Sequence, residues 1–302
     1  MRNILVTGGT VFVSRYVAEY FANLGDKVWV LNRNTKPQPE NVTLIEADRR
    51  HLGESLKSLY FDAVIDVTAY TEKDVQTLTQ ALGSFGEYVF ISSSAVYPET
   101  LRKPFRESDP TGANCIWGDY GRGKLCAENY LLKNLPKAYI LRPPYLYGPM
   151  QNLYREPFVF DCAEKDRTFI LPGTSMNLQF FHVRDLCRFI DILITKKPCR
   201  RIYNVGNTES VSIREWVNLC YSATGRKAKT ATAPSGHCIR DYFCFYDYDY
   251  MLDVSAQTAL MPDVTPLDEG LRESYNYYKE NKNAIPKKPY TEYIDREFKN
   301  LL

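Results

Sequence analysis

The sequence has almost no excess of charge of either sign. Lysine and arginine total 38, and aspartate and glutamate total 36, so the formal net charge is +2 over 302 residues. Proteins that hold nucleic acid mainly by charge need a clustered basic surface, because they must neutralise phosphates. The charge balance therefore disfavours nucleic acid as a partner.

Long apolar runs and metal-binding spacings are also missing. No stretch approaches the roughly 18 apolar residues of a membrane helix, and residues 1–9 reach a glycine pair too early for a signal peptide. There are only three histidines, and none of the eight cysteines forms a Cys-x-x-Cys pair. We therefore expect a cytoplasmic protein with no membrane segment, no metal site and thiols that are buried or incidental.

Short apolar runs alternate with helical patterns in the first 150 residues. The runs cover 4–7, 27–31, 42–46, 63–67, 88–92 and 139–142, and a pattern such as 14–24 places its apolar residues on one helix face. Such alternation is typical of a parallel sheet covered by helices on both faces. The sequence predicts an α/β fold with a doubly wound (Rossmann) sheet and ligands at the carboxyl ends of its strands.

The pattern loosens after Pro149, where a smaller C-terminal α/β substrate domain is expected. We predict a dinucleotide-binding domain of 1–149 plus about 178–205, and a substrate domain of about 150–177 and 206–302. Helices are expected at 183–195, at 212–221 with Ser210 or Ser212 as its cap, and at 268–280. Strands are expected at 169–171 and 201–205, a loop at 227–236 and a loosely held tail at 286–302. Residues 241–250 are either a substrate lid or a half-buried strand.

The first strand leads into Thr7-Gly8-Gly9-Thr10, where a dinucleotide-binding loop belongs. Gly8 permits a tight turn, and the N-terminus of the next helix can face a pyrophosphate. In a Gly-x-x-Gly-x-x-Gly pattern the second and third glycines fall on Val11 and Ser14, so the motif is incomplete. A plain turn between strand and helix is the alternative.

The end of the second strand indicates which nucleotide would bind. Asn32 and Arg33 stand where an NAD enzyme usually has an acidic residue for the ribose 2′-hydroxyl. An arginine suits a 2′-phosphate, so the pair favours NADP over NAD, unless Arg33 is only a solvated cation. Asp48, after the third strand, is placed to accept a hydrogen bond from the adenine amine.

Tyr120 and Lys124 are four residues apart and share one face of a predicted helix. A free tyrosine has a pKa near 10, so its use as a base at pH 7 requires its phenolate to be stabilised by about 4 kcal/mol. A nearby ammonium group provides such stabilisation. A serine-rich segment, 92–94, follows the fifth strand, where a hydroxyl can orient the substrate oxygen whose proton the tyrosine moves.

Six segments resemble the extended short-chain dehydrogenase/reductase family, in its NAD(P)-dependent epimerase/dehydratase branch. They are 6–10, 92–97, the pair Tyr120 and Lys124, 141–149, 181–185 and 203–206, and the likeness runs from Ile4 to about Lys279. The resemblance implies that Ser93 orients the substrate, Tyr120 is the acid/base, and Lys124 anchors the ribose and tunes the tyrosine. It also implies hydride transfer to and from a sugar or nucleotide sugar, and a homodimer of the kind frequent in this family.

The resemblance further implies which residues contact the ligands. Cofactor contacts are expected from the loop, the strand ends and the helix, at Gly8, Thr10, Val11, Phe12, Val13, Asn32, Arg33, Asp48, Val67, Thr68, Ala69, Ser92, Tyr120, Lys124 and Pro143. Substrate contacts are expected from Ser94, Tyr145 and Gln179. Tyr145 replaces an asparagine of nucleotide-sugar enzymes, and Gln179 replaces an arginine that grips a diphosphate in many of them, which weakens the case for a UDP or dTDP sugar.

The same departures resemble a sub-branch that includes chloroplast stem-loop RNA-binding proteins. Its plastid members lack the catalytic tyrosine, so the presence of Tyr120 favours an enzyme. An RNA-binding protein on the same fold and a non-catalytic dinucleotide-binding protein stay open as alternatives. His182 is interpreted as a structural histidine rather than a base, and Cys187 and Cys199 as packing residues.

Overall fold

A computed structural model describes all 302 residues, which divide into two units. The first unit comprises Met1–Pro144, Val183–Gly206 and Leu252–Asp263, and the second comprises Tyr145–His182, Asn207–Met251 and Val264–Leu302. The strands are β1 (Asn3–Thr7), β2 (Lys27–Asn32), β3 (Val42–Glu46), β4 (Phe61–Asp66), β5 (Phe85–Ile91), β6 (Tyr139–Arg142), β7 (Tyr145–Tyr147), β8 (Phe169–Leu171), β9 (Asn177–His182), β10 (Ile202–Asn204), β11 (Ser210–Ser212) and β12 (Thr230–Thr232). The helices are α1 (Phe12–Asn23), α2 (Glu72–Ala81), α3 (Gly118–Asn134), α4 (Glu156–Glu164), α5 (Val183–Lys196), α6 (Ile213–Ala223), α7 (Ile239–Tyr242), α8 (Ser255–Thr258), α9 (Leu267–Asn281) and α10 (Tyr290–Glu297). None of these helices combines the length and the apolar character needed to cross a bilayer.

Seven strands of the first unit form one sheet in the order β10-β6-β5-β4-β1-β2-β3, and all neighbours pair in parallel. The central strands are apolar on both faces; Ile4, Leu5 and Val6 of β1 are fully buried. The strand order reverses between β1 and β4, and ligands of such sheets bind at the carboxyl ends beside that reversal. The predicted fold class is confirmed.

The observed strand bounds lie close to the predicted ones, except at the start of β5. That strand begins at Phe85, three residues before the predicted start. The prediction starts too late because Gly86 and Glu87 interrupt the apolar run. A Cβ on Gly86 would stand 2.4 Å from the carbonyl oxygen of Asp62 on the neighbouring strand. Glycine usually weakens a strand, but here the close approach of two backbones requires one.

The second unit contains two small sheets and an aromatic core. Strands β11, β9 and β7 form one sheet, and β12 pairs with β8 in the other. Helix α6 begins after Ser212, whose side chain accepts a hydrogen bond from the Glu215 backbone N–H at 3.2 Å, so Ser212 and not Ser210 is the cap. The 227–236 segment, interpreted as a loop, contains β12.

The unit boundaries differ from the predicted domains in three segments. Residues 145–149, with β7, and strand β9 belong to the second unit, where β9 pairs with β7 and β11. Conversely, Leu252–Asp263 belongs to the first unit: Asn204 Nδ2 donates to the Asp253 carbonyl at 3.2 Å, and the Gly206 N–H donates to Gln257 Oε1 at 2.7 Å. These bonds join positions about 50 residues apart, which no local pattern reveals.

Two local interpretations are wrong, and so is one of the two alternatives for 241–250. The predicted loose tail forms α10 and buries Tyr290, Ile294 and Phe298 in the second unit. Residues 241–250 contain no strand, so the strand alternative is wrong; after α7 they run as a loop that buries several of its aromatic rings. The role of this segment as a substrate lid stays a prediction. Cys199 is exposed, so it is not a packing residue, whereas Cys187 is buried.

Candidate functional site

Two consecutive glycines shape the loop after β1. Gly8 and Gly9 have φ angles of +91° and +90°, which side-chain-bearing residues rarely adopt. A Cβ on Gly8 would stand 2.7 Å from Cγ2 of Thr68, and one on Gly9 would stand 2.5 Å from Cγ1 of Val30. Gly9 is absent from the predicted site residues because the spaced-glycine motif places its glycines at positions 8, 11 and 14. The two consecutive glycines would have been a sufficient pattern to predict Gly9 as part of the site.

Helix α1 starts directly after this loop. Val11 is its extended N-cap residue and offers no side-chain hydrogen bond, and no acidic residue lies in the first turn. The first-turn amides are therefore left for an anion, which the helix dipole also attracts. Ser14 stands in the third glycine position and donates its hydroxyl to the Val11 carbonyl at 3.0 Å.

A cleft of about 500 Å³ opens beside the loop, at the carboxyl ends of β1, β2 and β3. Its volume is in the range of small-molecule sites. Of the predicted cofactor residues, the cleft is lined by Gly8, Thr10, Val11, Asn32, Arg33, Asp48 and Thr68. Its lining also includes residues that the sequence motifs did not single out, namely Lys36, Arg49, Arg50 and Tyr70. A dinucleotide fits this combination of a glycine cradle, a helix start and a basic wall.

The side chains after β2 and β3 are partly engaged with the protein itself. Asn32 Nδ2 donates to the Gly8 carbonyl at 2.6 Å and to Gln38 Oε1 at 2.9 Å, so Asn32 stabilises the loop. Asp48 accepts hydrogen bonds from the Arg50 side chain at 2.7 Å and backbone at 3.0 Å, and these bonds hold the pKa of the Asp48 carboxyl well below its usual range. The contact of Asp48 with adenine stays a prediction.

Helix α3 presents Tyr120, Lys124 and Glu128, at spacings of four residues, along one face. Lys124 is 2% exposed, and its Nζ donates to the Ala69 carbonyl at 2.6 Å and the Ile91 carbonyl at 2.7 Å. Those carbonyls lie just after β4 and at the end of β5, so the ammonium stands at the carboxyl edge of the sheet. Burial lowers the pKa of Lys124 from its usual value near 10.5 to about 8. An ammonium has three protons, so one is left for a ligand.

Tyr120, one turn before Lys124, is 40% exposed. Its ring centroid lies 6.2 Å from those of Tyr70 and Trp117, and Lys124 Nζ lies 4.9 Å from the centre of the Tyr70 ring. Tyr70 thus covers the ammonium on one side and flanks the phenol on the other. Sequence reasoning missed Tyr70 because it belongs to no motif.

A buried ion pair anchors the far end of the α3 face. Glu128 and Arg142 are 1% and 3% exposed, and Arg142 Nη2 lies 2.6 Å from Glu128 Oε2. Ser92 donates its hydroxyl to Glu128, and Arg142 donates to the Tyr97 hydroxyl at 2.7 Å. The buried hydroxyl of Ser92, which is predicted to contact the cofactor, therefore connects the end of β5 to α3. Buried pairs of this kind are stable only when their remaining hydrogen bonds are made, as they are here.

The other predicted strand-end residues surround the α3 face. Ser93 Oγ accepts a hydrogen bond from the Ala95 N–H at 3.1 Å, and its hydroxyl proton stays available for donation. The Ser94 N–H donates to the Pro143 carbonyl at 3.0 Å, which fixes the segment after β5 against the end of β6.

The segment after β4 is held by Thr7, which sequence reasoning missed. Thr7 Oγ1 accepts hydrogen bonds from the Val67 and Thr68 amides at 2.9 and 3.1 Å. Ala69 follows and receives Lys124. Phe12 and Val13 are in the first turn of α1, where Phe12 is buried and Val13 is half-buried.

The predicted substrate residues of the second unit lie in its core. Tyr145 is 4% exposed, its ring is 4.5 Å from that of Phe245, and burial raises the pKa of its phenol well above the usual value. Gln179 is fully buried and donates to the Asn207 carbonyl at 2.7 Å. His182 is also fully buried, with its Nε2 3.6 Å from Glu273. Within this unit all three side chains make structural contacts.

A family model agrees with this architecture. The NAD dependent epimerase/dehydratase family matches residues 4–82 and 73–206. The chain belongs to this family. Membership confirms the predicted resemblance to NAD(P)-dependent epimerases and dehydratases, a family of enzymes, and with it the expectation of an NAD(P)-binding protein.

Individual relatives are distant. The chain is 24% identical to the chloroplast stem-loop binding protein of 41 kDa b of Arabidopsis thaliana, over 74% of this chain and 64% of that protein, so it spans less than two thirds of that relative. It is 24% identical to a UDP-glucose 4-epimerase of Corynebacterium glutamicum, over 76% of this chain and 83% of the relative. The structure of the Bordetella bronchiseptica enzyme WbmH in complex with NAD+ is similar with a TM-score of 0.74 and 18% identity, over 93% of this chain and 99% of that one.

Proposed function

We propose that this protein is an NAD(P)-dependent epimerase, dehydratase or reductase that acts on a sugar or nucleotide sugar. One observation carries the proposal: Tyr120 and Lys124 share a helix face, and the Lys124 ammonium is bound by the carbonyls of Ala69 and Ile91 at the carboxyl edge of the sheet. The dinucleotide cleft opens at the same edge, with Thr68 and Tyr70 in its wall.

The nicotinamide dinucleotide would be held by residues of this cleft. Gly8, Thr10 and Val11 would bind the pyrophosphate through backbone amides, and Arg33 would face the adenine ribose. When bound, the cofactor supplies the hydride chemistry that oxidises or reduces a carbon bearing a hydroxyl or carbonyl.

Tyr120 moves the proton in this proposal. Its exposed phenol removes the proton from a substrate hydroxyl, and the charge on Lys124 stabilises the phenolate through the low-dielectric interior. The hydroxyl proton of Ser93 donates to the same substrate oxygen and orients it. In the reverse step the phenol returns its proton to the substrate oxygen.

The wall of the cleft favours a phosphate on the ribose. Arg33, Lys36 and Arg50 line it. Asn32 is an amide and offers no carboxylate for a 2′-hydroxyl, and its Nδ2 already donates to Gly8 and Gln38. We therefore infer a preference for NADP over NAD. Fluorescence titration should give a lower Kd for NADPH than for NADH, and Arg33→Ala should remove the difference. Equal affinities in the unsubstituted protein would refute the inference.

The proposed reaction class is tested by screening nucleotide sugars and free sugars with NAD+ and NADP+. Oxidation appears as absorbance of the reduced nicotinamide, and an epimer or a dehydrated keto sugar appears in the product by NMR. A compound that is converted only in the presence of cofactor would support the proposal. Cofactor binding with no conversion across the screen would favour a non-catalytic dinucleotide-binding protein.

A stem-loop nucleic acid is the second candidate ligand, because a relative named as a stem-loop binding protein matches 74% of this chain. The net charge of +2 gives little electrostatic support for it. A gel shift with a stem-loop RNA at physiological salt distinguishes the two: retained binding would favour this candidate, and loss of binding as salt rises would argue against it.

A further inference from the structure

A second buried ion pair lies at the carboxyl edge of the sheet, between Arg49 and Asp66. Asp66 ends β4 and is fully buried. Its Oδ1 lies 3.0 Å from Arg49 Nη1 and its Oδ2 lies 3.1 Å from Arg49 Nη2, which is a bidentate pair. Thr7 and Tyr88 donate their hydroxyls to the same carboxylate at 2.8 and 2.7 Å. The carboxylate thus accepts four hydrogen bonds, enough to keep it ionised, and its pKa is lowered despite complete burial.

The pair is joined to the segment that receives Lys124. Arg49 Nη1 also donates to Thr68 Oγ1 at 2.9 Å, and Thr7, which donates to Asp66, accepts the amides of Val67 and Thr68. The next residue is Ala69, whose carbonyl accepts the Lys124 ammonium. The position of that carbonyl therefore depends on hydrogen bonds made by Arg49 and Asp66.

The charges of the pair act on Lys124 in opposite directions. Burial is the largest influence on the pKa of Lys124 and lowers it; Asp66 is the next and raises it, and Arg49 follows and lowers it. The other charged groups that face the ammonium are Glu128 on its own helix and Asp74 on α2, and both raise its pKa. Asp74 also lies 3.7 Å from Arg49 Nε.

We propose that the Arg49–Asp66 pair positions Lys124: its hydrogen bonds fix the segment after β4 whose Ala69 carbonyl binds the ammonium, and its two charges act on that ammonium. Asp66 is the counter-charge that keeps the buried ammonium protonated, and Arg49 limits that attraction while fixing the segment after β4. Arg49 also lines the dinucleotide cleft, so it connects the cofactor site with the proposed catalytic lysine. The importance of Lys124 to catalysis rests on the proposed function, but its positioning by this pair does not.

The test is an NMR titration of the lysine Nζ and Cε resonances in the full protein without cofactor or substrate. Lys124 is assigned by the resonance that disappears in Lys124→Arg. Asp66→Asn should lower the pKa of Lys124 so that its proton affinity falls at least tenfold, because an attractive charge is lost and the shape is kept. Arg49→Gln should raise the pKa, because a repulsive charge is lost.

Asp62→Asn is the matched control. Asp62 lies near the start of the same strand and accepts a hydrogen bond from the Asn3 backbone N–H at 2.7 Å. The substitution removes a carboxylate from β4 away from Lys124, so it should leave the titration of Lys124 unchanged. Opposite shifts in the Asp66 and Arg49 variants support the proposal; shifts of the same sign, or none, overturn it. If Asp66→Asn does not fold, Arg49→Gln decides alone, with a rise supporting the proposal and an unchanged or lower pKa overturning it.

A parallel measurement separates this inference from the proposed function. If Lys124 binds the ribose as proposed, the Kd for NADPH rises with pH as Lys124 loses its proton, and the midpoint of that rise follows the NMR midpoint in each variant. Opposite NMR shifts with a pH-independent Kd would uphold the positioning role and contradict the role of Lys124 in cofactor binding.

Discussion

The first unit buries the carboxylates of Asp66 and Glu128, which lie 3.0 Å from Arg49 and 2.6 Å from Arg142. The second unit buries Glu156 on α4, and burial raises the pKa of its carboxyl to about 7. In the first unit the buried charges are held in fixed positions by several hydrogen bonds each, and they surround Lys124. In the second unit the Phe245 ring packs against those of Tyr145 and Trp216, and the buried carboxylate of Asp161 accepts hydrogen bonds from Tyr154 and Tyr278. The contrast therefore lies between the arginine-paired carboxylates of the first unit and Glu156, whose burial raises its pKa.

The largest expected effect on stability concerns Glu128. Glu128→Gln leaves Arg142 charged and buried without its counter-charge, and such changes cost about 3–5 kcal/mol. We expect a loss of that size in the free energy of unfolding by urea titration. Asp119→Asn, on the same helix but 95% exposed at its side chain, should leave it unchanged. Equal effects of the two substitutions would contradict the distinction between buried and surface charges of α3.

The second prediction concerns Glu156, the buried carboxyl of the second unit. Its pKa is near 7 in the folded protein against about 4.5 when unfolded, so the folded state binds more protons between these values and stability falls as pH rises through that window. Glu156→Gln should remove a loss of about 3 kcal/mol between pH 4.5 and pH 8. Glu164→Gln, at the other end of α4, should keep the wild-type pH profile. An unchanged profile in Glu156→Gln would show that this carboxyl is not desolvated as described.

The third prediction concerns the glycine pair of the cleft. Gly9→Ala places a Cβ 2.5 Å from Val30 and should lower the affinity for NADPH at least tenfold, because the loop must move. Gly25→Ala is the matched control, since Gly25 has a similar φ of +85° but no atom within 4 Å of an added Cβ. Both variants carry similar backbone strain, so a difference in Kd shows that the substitution at Gly9 acts on the cleft and not through a general loss of stability. Similar Kd values would contradict the role of Gly9 in shaping the cofactor cleft.

Sequence patterns predicted the elements whose neighbours are close in the chain. The apolar runs gave the strands of the parallel sheet, and the turn after β1 gave the phosphate loop, because hydrophobic periodicity and glycine positions are local signals. The four-residue spacing of Tyr120 and Lys124 likewise indicated a shared helix face.

The features that sequence patterns did not predict depend on contacts between distant positions. Arg49 pairs with Asp66 and Glu128 with Arg142, across 17 and 14 residues, and nothing in either short segment distinguishes these side chains from surface charges. The C-terminal segment looks like a tail because its polar residues outnumber its apolar ones, yet Tyr290, Ile294 and Phe298 recur at near-helical spacing and bury one face of α10. That spacing was a usable signal.

The most direct test of the central claim compares two tyrosines of α3 in the conversion of a substrate found by the screen. Tyr120→Phe keeps the ring beside Tyr70 and removes the proton that is transferred, so turnover should fall by about 10²–10⁴-fold while the Kd for the cofactor is unchanged. Tyr130→Phe removes a hydroxyl from the same helix, 3.4 Å from Thr79 Oγ1, and should keep full turnover. Undiminished turnover in Tyr120→Phe, with folding and cofactor binding intact, would contradict the assignment of Tyr120 as the acid and base.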